Sequence, residues 1–134
     1  MQEALTALLL AHPPLTHLVG TRVHWMRLPK QVKARPYVNL QEVWSSEGYH
    51  FRGRSGLTRT SVQADVWAKT YADGVAVTRA LSDVLSGYRG TVAGVVFQGI
   101  FVRQARDLSG ETAGRERQLF RRSVDFDVSW ALES

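Results

Sequence analysis

The sequence has no cysteine among its 134 residues, which excludes disulfides and thiolate metal sites and fits a reducing compartment. Long apolar runs are also missing. The longest near the N-terminus, Ala4 to Ala11 interrupted by Thr6, follows Glu3 and no basic residue, so a signal peptide is not expected. The run is too short to span a bilayer and reads as a helix packed on a core, so no membrane partner is expected. The familiar catalytic spacings are absent too. His12, His17, His24 and His50 contain no i, i+4 pair of the kind a zinc helix needs. There is no Gly-x-Ser-x-Gly, and Gly53-Arg54-Ser55-Gly56 lacks the Gly-Lys-Ser/Thr ending of a phosphate loop. No enzymatic activity, metal or other cofactor is expected.

Acidic residues are scarce in one region. Of the net charge of +5, the stretch from Arg22 to Arg59 holds eight basic residues against Glu42 and Glu47, which leaves the rest close to neutral. A local positive field suits an acidic protein surface or a phosphate backbone, and a solvated arginine-rich surface accounts for it equally well. Arg52, Arg54 and Arg59 interleave with Tyr49, Phe51 and Leu57, an arrangement that can grip phosphates and stack bases. Anchoring of a loop or a subunit contact explains the same residues more economically.

The apolar fraction of 44% and the chain length suit one domain with a real core, here residues 1–134. Leu5, Leu8 and Leu9 predict a helix over 2–11, stopped by Pro13-Pro14, with a further short turn at 15–19 before Gly20. Alternation predicts strands over 21–26 and 37–44. Residues 27–36 read as an exposed loop, and 45–56 as a long hairpin or mobile loop. A strand over 57–68 follows, then a helix over 70–86 capped by Thr70 with Asp73 three residues on. Short strands at 91–93 and 95–104, a loop at 107–116 and a last strand over 118–131 complete the chain. The fold class is α+β, a largely antiparallel sheet with helices packed on one face.

Two segments echo each other sixty-two positions apart, Ser61-Val62-x-x-Asp65-Val66 and Ser123-Val124-x-x-Asp127-Val128. Two amphipathic strands with one wet face produce this pattern without any active site. Asp125 and Asp127 stand roughly 6.5–7 Å apart on one face of a strand, a spacing open to a carboxylate pair but common by chance. In the second strand, Val38, Leu40, Glu42 and Trp44 are expected on one face, and Tyr37, Asn39, Gln41 and Val43 on the other.

The order of these elements resembles a known family. Pro36-Tyr37-Val38-x-Leu40-Gln41 is followed by Gly56-Leu57, then Val62-Gln63-x-Asp65-Val66-Trp67-Ala68, then Thr70-Tyr71-Ala72 opening a helix. The start, Leu18-Val19-Gly20-x-Arg22-Val23, and the closing strands, Gly99 to Arg106 and Arg121-Arg122-Ser123-Val124-Asp125-Phe126, complete the likeness. The whole is similar to the tail-completion, or tail terminator, family of long-tailed bacteriophages and phage-derived gene transfer particles. The resemblance implies a structural protein forming a homohexamer ring on the head-proximal end of the tail tube. Such a ring stops polymerisation of the tail tube protein and docks the neck or stopper protein. Double-stranded DNA passes through it without sequence recognition, at the tail–head junction of particles assembled in a bacterial cytoplasm. It implies neither catalysis nor a cofactor. The alternatives are another neck or minor tail protein of similar fold, or a basic nucleic-acid-binding module. Charge density and expected exposure single out Lys30, Lys33, Arg35, Arg52 and Arg54 for contacts between rings. Asp125 and Asp127 are placed at a subunit boundary or the lumen.

Overall fold

A computed structural model describes residues 1–26, 36–50, 53–108 and 120–133, with the backbone alone for 49–50 and 53–55. Helices α1 (Gln2–Leu10) and α2 (Pro13–Val19) open the chain. Pro13 occupies the first turn of α2, where its missing N–H costs nothing, and Gly20 ends the helix at φ +60°. Leu5, Leu9, Leu15 and Val19 are fully buried, so the short second helix is held by its apolar stripe.

Strand β1 (Val23–Trp25) runs parallel to β2 (Tyr37–His50). Trp25 Nε1 donates to Thr6 Oγ1 at 2.8 Å and ties β1 to α1, while Arg22 Nε donates to the Pro36 carbonyl at 2.9 Å. Strand β3 (Gly53–Ala68) returns antiparallel to β2 as far as His50 opposite Gly53. Residues 45–50 and 53–56 therefore belong to a strand hairpin, the first of the two expected alternatives, and both strands extend well past their predicted ends. Thr70 caps α3 (Tyr71–Leu85) by accepting from the Asp73 amide at 3.1 Å. Strands β4 (Gly90–Val92), β5 (Val95–Asp107) and β6 (Phe120–Leu132) complete a six-stranded sheet in the order β1-β2-β3-β6-β5-β4.

One face of the sheet meets the three helices. Val38, Leu40, Val62, Ala64, Val66, Val124, Phe126 and Val128 pack with Leu5, Leu9, Val77, Leu81 and Leu85 in one cluster. The α+β arrangement with helices on a single face is as expected. The face of Trp44 is not. A bulge between Glu42 and Trp44 adds one residue to β2, so Trp44 lies opposite Ser61, on the face away from the helices.

Candidate interaction surface

The face away from the helices carries the chain's polar pattern. The two echo segments are neighbours: Ser61 pairs with Asp127, Asp65 with Ser123, and Gln63 lies opposite Asp125 at the centre. The echo is a local two-fold relation between antiparallel strands. It puts Asp65 and Asp127 four positions apart along the strands, ~13 Å by the rise per residue, too far for a shared proton.

This face is not wet, contrary to the sequence expectation. Ser61 and Ser123 are fully buried, and Asp65 and Asp125 are only 7% and 6% exposed. Carboxylates so placed need compensation, and neighbouring strands supply it. Arg121 Nη2 stands 2.9 Å from Asp65 Oδ2, and Gln63 Nε2 donates to Asp65 Oδ1 at 2.9 Å. Gln104 Nε2 donates to Asp125 Oδ2 at 2.7 Å, with Arg106 Nη2 at 3.2 Å from the same oxygen. Arg103 Nη2 donates to Ser61 Oγ at 2.8 Å. Its Nε lies 3.1 Å from Asp127 Oδ1, an ion pair whose N–H is poorly aimed for a hydrogen bond. Each of the three carboxylates thus faces one guanidinium. Arg121 also lies 5.4 Å over Trp67, which stacks on Tyr37 at 6.4 Å between centroids. Long arginine stems lying across the strands help to dry the face beneath them.

The arrangement clamps strands together. Among the described residues no group of three His, Asp or Glu could hold a metal, and no helix is long and apolar enough to cross a membrane. Asp125 and Asp127 are brought onto one face, each with its own arginine. Lys30, Lys33, Arg35 and Arg52 lie outside the described residues, and Arg54 contributes its backbone to β3 opposite Tyr49.

Other surface features escaped the sequence reading. Met26, Val43, Trp44 and Phe101 are large, apolar and 46–69% exposed. Near the hairpin, Leu57, Thr58, Trp130 and Leu132 line a half-open groove of about 520 Å³. Trp130 is fixed there by its Nε1 donating to Thr60 Oγ1 at 3.0 Å. Past Thr58 opposite Trp130, the β2–β3 ribbon has no third strand among the described residues. A bare two-stranded ribbon is marginal in water, so this one is suited to rest on a partner.

These features define a class: an α+β subunit with an internally neutralised polar face, apolar side chains at its flanks and a projecting ribbon. The chain belongs to the tail completion protein gp17 family, whose pattern it matches over residues 3–130. It is thereby a structural tail protein, a component of phage-type particles. In fold it is similar to a chain in the solved structure "Virion of native gene transfer agent (GTA) particle". The TM-score is 0.78 at 23% identity, covering 98% of this chain and 94% of that one. No curated protein matches it by sequence.

Proposed function

We propose that this protein forms a homohexameric ring on the head-proximal end of the tail tube, where it stops tube growth and provides the docking surface for the neck or stopper protein. Double-stranded DNA crosses the ring without being read. The role is mechanical, with no catalytic step. The observation that carries the reading is the family match across nearly the whole chain, joined to a subunit with distinct ends. The β2–β3 ribbon leaves one end of the sheet, and β5 ends at Asp107 and β6 begins at Phe120 at the other. A ring that joins two different structures needs two different axial faces.

In this reading Lys30, Lys33, Arg35, Arg52 and Arg54 make the contacts between rings, because the basic charge is concentrated in those segments. Asp125 and Asp127 belong near a subunit boundary, not to a bare acidic lumen, since Arg106 and Arg103 already oppose them.

Electron microscopy of particles made without this gene is the decisive test. Tails of uncontrolled length beside filled, tailless heads are the expected result. Tails of normal length joined to heads would overturn the reading.

A further inference from the structure

The pairing register gives each position a level across the sheet. Trp25, Leu40, Ala64, Val124 and Ala105 share one level. Trp44, Ser61, Asp127 and Phe101 share another, and Glu47, Thr58, Trp130, Phe97 and Gly90 a third. On one flank, β1 covers β2 only from Val38 to Leu40. On the other flank, β4 covers β5 only from Val95 to Phe97, and the Gly87-Tyr88 backbone bonds to Ile100. Past these short strands each flank has open backbone among the described residues. The flanks are therefore stepped in opposite senses.

Open edges invite pairing, and proteins normally guard them. A second copy set flush, with its β2 against this β5, would put its β1 in the space of β5 itself, because Trp25 and Ala105 share a level. Set one strand spacing further out, the copies interlock. The neighbour's β1 then lies beside β5 near Ala105, and β4 lies beside the neighbour's β2 near Glu47. The two short strands occupy one column without overlap. The strand directions also agree: β1 runs with β2, and three successive antiparallel pairings separate β2 from β5, so β1 meets β5 antiparallel.

An independent feature matches this joint. The levels left open between β1 and β4 are those of Glu42 to Trp44 and of Phe101. Met26, Val43, Trp44 and Phe101, four of the six exposed large hydrophobic side chains among the described residues, flank that gap.

We infer that the β1–β2 flank of one copy docks against the β4–β5 flank of the next in a stepped joint closed over Met26, Val43, Trp44 and Phe101. The two surfaces differ, so the contact is head-to-tail and adds copies in one direction, as a ring requires. Only the closure into a ring rests on the function proposed above; the pairing of flanks stands on the register.

The absence of cysteine makes the test clean. Met26→Cys and Ala105→Cys, both at exposed positions, are introduced singly and together. Particles carrying each variant are treated with a short bismaleimide and run on denaturing gels. The double variant is expected to give a ladder of covalent multimers and each single variant only monomer. Dimers from either single variant would mean a like-to-like contact and overturn the joint. An uncrosslinked double variant in particles whose tails end normally would overturn it too, while sparing the terminator reading. Normal tails in the gene deletion would overturn that reading and leave the ladder as an independent result.

Discussion

Asp65, Asp125 and Asp127 share a face but not an environment, and the difference sets what each contributes. The Asp65 side chain is 10% exposed against an Arg121 that is 24% exposed and stacked on Trp67. Removing the carboxylate strands a half-dried guanidinium and the Gln63 amide. Asp65→Ala is expected to cost about 2 kcal/mol in urea unfolding, the scale of a charge-assisted hydrogen bond lost with its partner left behind. Asp125→Ala belongs with it, since Gln104 and Arg106 converge on one carboxylate that is 8% exposed. Asp127 is 22% exposed and its Arg103 48%, so solvent screens the pair, and Asp127→Ala is expected to cost about 1 kcal/mol or less. An Asp127 variant as unstable as the Asp65 variant would show that Arg103 closes the face more tightly than its exposure indicates. None of these partnerships was legible beforehand. Asp65 and Arg121 are 56 positions apart, and pairing of that kind is created by strand register.

At the scale of elements, the sequence was most readable where one local rule acted alone. Leu5, Leu8 and Leu9 marked α1, and Thr70 with Asp73 marked the start of α3 because a cap is chemistry within one turn. Thr70→Ala is expected to cost about 1 kcal/mol of stability by thermal unfolding, with the sheet unchanged. Alternation located β3 and β6 for the same reason. It failed in β2, where the extra residue at Val43 leaves no trace in composition and reverses the face of everything after it. Trp44, expected on the face of Val38 and Leu40, therefore lies on the opposite, outer face at 46% exposure. The length of the β2–β3 ribbon was missed because glycines and arginines at 45–56 read as loop chemistry, whereas the ladder to His50 and Gly53 is a pairing of backbones that residue type does not announce. Two phenylalanines on adjacent strands show how position outweighs type. Phe126, fully buried, is expected to cost about 3–5 kcal/mol as Phe126→Ala. Phe101→Ala, at 60% exposure, is expected to change monomer stability by about 0.5 kcal/mol or less. Its effect should be seen in assembly instead.

For the whole molecule, the sheet separates two tasks. The face under the helices supplies the core, and the opposite face is dried by its own arginines. The contacts left for assembly are then the flanks and the ends. The flanks carry exposed apolar side chains, suited to permanent neighbours. The contacts with a different protein fall, under the proposed function, to the basic stretch from Arg22 to Arg59. This division predicts that the two kinds of contact fail separately. Reversing charge as Arg52→Glu with Arg54→Glu removes nothing from the core cluster. The variant is expected to unfold at the parental temperature and to give the same crosslinked ladder between copies. Its particles are expected to show heads and tails that fail to join, or tubes that overrun their length. Counting attached, normal-length tails by electron microscopy in a strain supplied only with this variant measures the effect. Parental counts would remove Arg52 and Arg54 from the contact between rings and leave the flank joint untouched.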